Sequence, residues 1–238
     1  MTIHDMEVAV VPTVWTLSML PSLPVPDHSQ RSSEARRGLT TVICIIVICI
    51  GLTHGIGLTA GRITGVMWWV CLLGVYTMAF IALVCLVGIL YGDPGVVPRT
   101  EATCFPIPEE VQRRINDGGQ SLDSLSNIID GNRSYCVRCL VWRSRPDPSG
   151  SSLLLETTCR RAKPHHCRIC NRCVMYFDHH CGVFGRCIAG RGIHGNMKYF
   201  VTIIGIGYTA FFLAALVAVA GLVNRATRDG GWKHGDDR

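Results

Sequence analysis

The stretch FDHHCGVF, residues 177–184, places an acid, two histidines and a cysteine in four consecutive positions. Histidine and cysteine are zinc ligands, but a cysteine beside a histidine is also a common way to generate a thiolate nucleophile. Whether these side chains all bind metal or one cysteine is left for chemistry depends on the other ligands that the sequence supplies.

Further cysteines and histidines lie close by, at spacings typical of zinc sites. Cys136-x2-Cys139 and Cys167-x2-Cys170 are pairs in which both sulfurs of one tight turn reach the same tetrahedral ion. Adjacent residues such as His166 and Cys167 point apart, which suits two different ions. Spacing alone does not fix the allocation. The one that we predict is Cys136, Cys139, His166 and Cys173 for the first ion and Cys167, Cys170, His180 and Cys187 for the second.

This allocation leaves His179 and Cys181 on either side of the ligand His180, with Asp178 before them. Both metal sites are then closed by protein ligands and therefore structural. A neighbouring imidazole can lower the pKa of a thiol and accept its proton, and a carboxylate can hold the imidazole in the required tautomer. The alternative is that His179 is an ordinary surface residue and Cys181 a spare thiol.

Three long runs without charged residues determine the fold class: Leu39–Ala60, Val66–Gly92 and Tyr199–Val223. As helices, all three are long enough to cross a hydrocarbon core of roughly 30 Å, and a helix satisfies its own backbone in lipid. We predict an all-α integral membrane protein with three spans and a small cytosolic cysteine-rich domain of zinc-bound short β-hairpins and loops. The N-terminal stretch VAVVPTVWTLSMLPSLPVP is broken by prolines, and we expect a flexible or surface-lying tail.

The distribution of Arg and Lys predicts the orientation in the membrane. Arg31, Arg36 and Arg37 precede the first span and the segment from Arg99 to Lys198 is rich in Arg, whereas the turn between the first two spans contains only Arg62. The N-terminus and the cysteine-rich domain should therefore face the cytosol, where thiols stay reduced. We expect a multi-pass protein of an endomembrane (Golgi or ER) or of the plasma membrane.

The net charge of +6 fits a face that lies against anionic lipid, and no nucleic-acid motif appears, so we expect the bilayer but no nucleic acid as a partner.

DPG at Asp93–Gly95 should end a helix and turn the chain, and EEVQRRI should form a short helix. The predicted order is an N-terminal tail (1–38), two transmembrane helices with a luminal turn (39–92), a linker (93–134), the cysteine-rich domain (135–198), a third transmembrane helix (199–223) and a C-terminal tail (224–238).

The motifs YCVRC, HHCRICNRCV, DHHC and NMKYF, with DPG after the second span, resemble in order those of the DHHC protein S-acyltransferases (palmitoyltransferases). The resemblance extends from about Leu39 to Val223 and supports two structural zinc ions in the allocation above. It implies that Cys181 accepts a long-chain acyl group from acyl-CoA and passes it to cysteine thiols of substrate proteins. It also implies that His179 is the base and that Asp178 orients it.

The sequence departs from this family at several positions. Pro-Trp commonly follows the motif, where Gly182 and Val183 stand here, and the family usually has a fourth span, whereas this chain ends soon after Val223. A truncated sequence, a divergent form or an inactive paralogue would each fit this ending. The alternatives are a non-catalytic membrane zinc scaffold and a RING-like membrane ubiquitin ligase, although Cys181 and Cys187 are too far apart for the closing Cys-x2-Cys of a RING.

Overall fold

The computed structural model describes residues 14–60, 65–117, 122–144, 164–191 and 194–231. Within these ranges, long helices form one part of the molecule and short β-hairpins form the other. The long helices are α1 (His28–Gly51), α2 (Val66–Tyr91) and α5 (Met197–Gly231), and Leu52–Ala60 continue α1 as a π-helix.

In the part of the chain that the structure describes, three helices are long and apolar enough to cross a membrane: His28–Leu58, Val66–Tyr91 and Met197–Asp229. Large apolar side chains such as Val47, Leu73 and Phe212 are exposed along them. Such exposure is unfavourable in water but costs nothing against lipid tails. The chain is therefore a membrane protein with the three predicted candidate membrane helices.

Helix α1 begins well before the apolar run that starts at Leu39. The predicted domain boundaries themselves stay predictions. The N-terminus of α1 is capped by Asp27, whose Oδ1 accepts a hydrogen bond from the Gln30 backbone N–H at 2.8 Å. The first turns of α1, which carry Glu34, therefore project beyond the apolar segment toward the cysteine-rich domain. Sequence hydropathy could not show this extension because these turns are polar.

The three long helices pack through small and apolar side chains. One cluster between them contains Val42 of α1, Ala82 and Ile89 of α2, and Ile203 of α5. At the other end, a Cβ on Gly57 would collide with Val217 of α5, so glycine allows the π-helical segment and α5 to approach closely.

The described residues of the cysteine-rich region form three small antiparallel sheets. The first contains β1 (Ile128–Asp130), β2 (Arg133–Cys136) and β3 (Val141–Ser144), and the second pairs β4 (His165–Cys167) with β5 (Arg172–Val174). The third contains β6 (Phe177–Cys181), β7 (Arg186–Arg191) and β8 (His194–Gly195). These short β-hairpins agree with the predicted fold class.

The DPG segment connects α2 to the second hairpin. Asp93 Oδ1 accepts hydrogen bonds from the backbone N–H groups of Gly95 and Val96, which closes the turn after α2. Val97 then donates to the Cys173 carbonyl at 2.9 Å, so the segment pairs with β5. The short helices α3 (Glu101–Cys104) and α4 (Glu109–Asn116) follow, and α4 confirms the helix predicted for EEVQRRI.

The part of the N-terminal stretch that the structure describes lies on the cysteine-rich domain. Leu20 is buried in the same cluster as Cys136 and Tyr135. We call Pro21–Asp27 the N-terminal strap. Its carbonyl groups accept hydrogen bonds from three side chains of the domain, Arg99 to Pro21 at 2.6 Å, Asn171 to Val25 at 2.6 Å and Arg172 to Pro24 at 2.8 Å. From residue 14 onward the stretch thus lies on the surface of the domain, as one of the two expectations had it, and its earlier residues lie outside the described ranges.

Candidate active site

The first group of potential metal ligands forms where two hairpins meet. Cys136 ends β2 and Cys139 lies in the turn that follows, where the Leu140 backbone N–H donates to the Cys136 carbonyl at 2.7 Å. His166 and Cys173 are directly opposite each other in the β4–β5 pair. Nδ1 of His166 lies 3.7 Å, 3.2 Å and 4.0 Å from the sulfurs of Cys136, Cys139 and Cys173 respectively.

The second group repeats this construction. Cys167 ends β4 and Cys170 lies in its turn, with the Cys170 backbone N–H donating to the Cys167 sulfur at 3.4 Å. His180 and Cys187 are opposite each other in the β6–β7 pair. Nδ1 of His180 lies 3.5 Å from the sulfurs of both Cys167 and Cys170 and 3.9 Å from that of Cys187.

Both groups have the chemistry and the dimensions of a tetrahedral zinc site. In each, the four ligand atoms lie within 4.8 Å of one another. Zn–S bonds of about 2.3 Å and Zn–N bonds of about 2.0 Å at tetrahedral angles place sulfur and nitrogen roughly 3.5 Å apart, and the observed distances lie on both sides of this value. Hydrogen bonds from neighbouring thiols, Cys139 first for Cys136 and Cys170 first for Cys167, hold the pKa values of these two thiols well below the usual range. Each group is thus suited to hold a zinc ion.

Strand geometry explains why neighbouring residues belong to different groups. Successive side chains of a strand point to opposite faces, so His166 and Cys167 of β4 turn toward different groups. In β6, His180 turns toward the second group, and His179 and Cys181 lie on the opposite face. The structure therefore keeps Cys181 out of both groups.

Cys181 faces the membrane helices. It is 7 % exposed and belongs to the cluster that contains Val42 of α1, Ala82 of α2 and Ile203 of α5. Ile188, from the strand opposite, and Phe184 complete its apolar surroundings. Its thiol thus lies where the cysteine-rich domain meets the ends of the helices.

His179 and Asp178 are paired in the structure. Nδ1 of His179 and Oδ2 of Asp178 are 2.8 Å apart, while the side chains remain 40 % and 58 % exposed. A register shift between Phe177 and His179 lets both side chains approach each other although they are adjacent in a strand. The His179 ring also packs edge-on against Phe200 of α5, with ring centroids 5.2 Å apart.

One carboxylate at the site comes from α1 and was not predicted. Glu34 is 5 % exposed, and its Oε2 lies 3.0 Å from Nε2 of the potential ligand His180. Gln30, one turn earlier, donates to the other oxygen of Glu34 at 2.8 Å. Glu34 follows serines and precedes arginines in a polar stretch, with no motif to single it out, and no sequence signal could have identified it.

Asn196, from the NMKYF stretch, is fully buried where β7 meets α5. Its amide donates to the Cys187 carbonyl at 2.8 Å, and its Oδ1 accepts from the Ala189 backbone N–H at 3.0 Å. Its own carbonyl accepts from the Phe200 backbone N–H in the first turn of α5. Asn196 therefore connects the strand of one potential ligand to the third membrane helix.

Arg99 supports the first group in a similar way. Its Nε donates to the Cys139 carbonyl at 2.8 Å, in addition to its hydrogen bond to the N-terminal strap. Burial lowers the pKa of the Arg99 guanidinium below its ordinary value. The turn that contains Cys139 is thus fixed from the side opposite the ligand atoms.

Two apolar spaces lie between the helices, and the nearer one shares Ala82 with the cluster that contains Cys181. A small gap follows the Cys181 cluster, and beyond it lies a cavity of about 210 Å³. Ile206 lines the gap, Ala210 lines both, and Val217 lines the cavity. From Ile203 to Val217, α5 covers about 21 Å at 1.5 Å per residue. Apolar space between the helices thus lies on the membrane side of the Cys181 cluster.

Residues 154–235 match the family model described as DHHC palmitoyltransferase. This match confirms the resemblance drawn from the motifs and is consistent with a DHHC-type protein S-acyltransferase. It includes Asp178 to Cys181 and the second ligand group, whereas Cys136 and Cys139 precede it. No curated protein and no solved structure matches the chain.

Proposed function

We propose that this chain, with its match to the DHHC palmitoyltransferases, is an enzyme that moves a long-chain acyl group from acyl-CoA to cysteine thiols of substrate proteins through a thioester on Cys181. One observation supports the proposal above the others. Among the described cysteines of the cysteine-rich domain, Cys181 belongs to neither ligand group and is buried against the ends of the membrane helices.

The proposed reaction transfers the acyl group twice. In the first, His179 takes the proton of Cys181, and the resulting thiolate attacks the carbonyl carbon of acyl-CoA. A new C–S bond forms and the C–S bond to CoA breaks. CoA then leaves as a thiol with the proton from His179. In the second, a cysteine thiol of the substrate protein attacks the acyl-Cys181 thioester, and its proton returns to Cys181. Asp178 holds the His179 ring from Nδ1, which leaves Nε2 free for this proton.

Two zinc ions would be held by the groups described above, and their contribution is structural. The hairpins are very short, and a bound metal would cross-link them into a rigid support. Because His180 is a proposed ligand in the second group, its neighbours His179 and Cys181 are held on the opposite face of β6. The protein residues themselves carry out the transfer.

The apolar space beyond Cys181 suits the donor's hydrocarbon chain. Each methylene transferred from water to an apolar environment contributes about 0.8 kcal/mol, so a long chain favours this space strongly over solvent. The CoA head group would remain at the membrane surface, where Arg31 and Arg186 lie close to the ends of the helices. In this arrangement the thioester would lie beside Cys181.

The orientation and the membrane belong to the same proposal. We place the cysteine-rich domain on the cytosolic side of an endomembrane or the plasma membrane, with the chain crossing three times. The support is the excess of Arg on this side and the reduced state that the ligand cysteines need.

Acylation of the purified protein tests this function directly. We expect full-length protein in detergent to take up label from a radiolabelled long-chain acyl-CoA as a hydroxylamine-sensitive thioester, and Cys181→Ser to lose that label with its zinc content unchanged. Cys44→Ser is the matched control, because Cys44 is an exposed thiol on α1 and its loss should leave the label intact.

Two results would contradict the proposal. Equal label on wild type and Cys181→Ser would place the acyl group elsewhere. No label on a wild type that retains zinc would favour the non-catalytic zinc scaffold or an inactive form. No contact among the described residues specifically favours a RING-like ligase.

A further inference from the structure

Glu34 is a buried carboxylate that the proposed acyl transfer does not use. It lies on α1, more than 140 residues before the strand that it contacts, and it is 5 % exposed. Burial of a carboxylate is unfavourable unless it is paired, so its location requires a partner. That partner is the ring of His180, at 3.0 Å from Nε2.

We propose that Glu34 is a positioning residue for the second metal centre: it accepts the Nε2–H of His180 and thereby presents Nδ1 to the metal. This inference rests on the zinc assignment in the proposed function and extends it to a residue outside the cysteine-rich domain. It makes the first membrane helix part of the support of the strand that carries Cys181.

The two nitrogens of His180 have separate partners. Nδ1 lies 3.5 Å to 3.9 Å from three cysteine sulfurs, whereas Nε2 faces the Glu34 carboxylate at 3.0 Å. A metal-bound imidazole binds through its unprotonated nitrogen and commonly donates its other N–H to a carboxylate. This hydrogen bond fixes the tautomer and the ring orientation and increases the electron density on the ligand nitrogen.

Glu34 is itself held in place by contacts made by α1. Gln30 donates to its Oε1 at 2.8 Å, and the N-terminal strap fixes the start of α1 through the Asp27 N–H to the Ile169 carbonyl at 3.0 Å. On the next turn, a Cβ on Gly38 would lie 2.6 Å from the Phe184 ring, so α1 packs directly on the loop after Cys181. The carboxylate is therefore preorganised.

The first ligand group provides an internal comparison. His166 also directs Nδ1 toward its sulfurs, but its buried Nε2 has no hydrogen-bond partner among the described residues. Only the second group has a carboxylate behind its histidine in the described part of the chain. Loss of Glu34 should therefore weaken one zinc site and leave the other unchanged.

Site-resolved metal release tests this inference without measuring acyl transfer. Zinc-loaded, full-length protein in detergent is challenged with a zinc chelator, and the cysteines that become free are alkylated and followed over time by mass spectrometry. We expect Glu34→Gln and Glu34→Ala to speed the exposure of Cys167, Cys170 and Cys187 by about 10- to 100-fold, Ala more than Gln, with Cys136, Cys139 and Cys173 unaffected. Glu34→Asp should restore part of the protection.

Two control variants separate positioning from general loosening. Glu109→Gln removes an exposed carboxylate of α4, and Glu101→Gln removes an exposed carboxylate at the start of α3, and neither residue contacts His180 in the structure. Neither should expose the second group selectively. Wild-type rates in both Glu34→Gln and Glu34→Ala, or equal acceleration of both groups, would overturn the inference.

The result is independent of the acylation experiment. If Cys181→Ser keeps its label, the acyl-transfer proposal fails while site-selective zinc release in Glu34 variants still supports the positioning role. A wild type that binds no zinc would overturn the zinc assignment and the role of Glu34 together.

Discussion

Two consecutive residues, His180 and Cys181, have opposite surroundings. His180 faces three sulfurs and the Glu34 carboxylate, whereas Cys181 faces aliphatic side chains of the membrane helices. The alternation of a β-strand is sufficient to separate them, since side chains one position apart point to opposite faces. A metal ligand and a proposed nucleophile can thus be neighbours in the chain without competing for the same ion.

At the residue scale, we expect Asp178→Asn to slow the acylation of Cys181. Asparagine cannot provide the negative charge that stabilises a protonated His179. In a buried triad this exchange lowers the rate about 10⁴-fold. Asp178 is 58 % exposed and water can substitute for it in part, so we expect the acylation rate to fall by about 10- to 100-fold here. Single-turnover transfer from labelled acyl-CoA measures the rate.

The matched control for this variant is Asp117→Asn, at the exposed end of α4. It should acylate at the wild-type rate. An Asp178→Asn protein with full zinc content and an unchanged rate would show that His179 needs no carboxylate partner.

At the element scale, the joint between β7 and α5 determines how the second ligand group sits on the membrane part. Asn196 makes this joint with both side-chain groups and with its backbone carbonyl, and it has no exposure to solvent. The same short segment therefore fixes Cys187 and begins the third membrane helix.

We expect Asn196→Ala to loosen this joint, because the Cys187 carbonyl and the Ala189 N–H lose buried partners. A lost buried hydrogen bond costs about 1–3 kcal/mol. Hydrogen–deuterium exchange read by mass spectrometry should show faster exchange in β7 and the first turn of α5.

Asn116→Ala, at the exposed end of α4, is the control and should leave the exchange unchanged. Asn196→Asp retains an acceptor for the Ala189 N–H and loses the donor to Cys187, which separates the two bonds. Wild-type protection of β7 in Asn196→Ala would contradict the role given to this side chain.

At the scale of the whole molecule, the two parts are stabilised in different ways. The long helices satisfy their own backbone groups within lipid. The hairpins are strands of only a few residues. The buried cluster at the second group consists mainly of potential ligand cysteines such as Cys187, whereas the cluster at the first group also contains large apolar side chains such as Tyr135 and Trp142. The stability of the cysteine-rich domain should therefore depend on metal, and that of the helices should not.

We expect removal of zinc with a strong chelator to unfold the cysteine-rich domain while the three helices persist. Far-ultraviolet circular dichroism should retain its helical signal, and limited proteolysis should begin to cut between Ser134 and Arg191. The same chelator saturated with zinc is the control. Retained protease resistance after complete loss of zinc would show that the hairpins are stable on their own.

The sequence by itself was enough to predict the cysteines and histidines at metal-ligand spacing, the three apolar helices and the short helix α4. These features are local, because a Cys-x2-Cys turn or a long apolar run carries its signal in consecutive residues. The two Cys/His groups that the structure brings together have the same members as the predicted allocation, which spacing alone had left open, and metal binding at them and the roles of Cys181, His179 and Asp178 stay proposals.

Only the tertiary structure decided which distant residues meet at these positions. Glu34 reaches His180 because α1 extends past its apolar run, the N-terminal strap lies on the Cys167–Cys173 turn, and Cys181 is enclosed by side chains from three helices. Such contacts join segments separated by up to about 150 residues, and they arise from packing of whole elements. A polar residue in a polar stretch has no local periodicity or spacing from which its partner could be read.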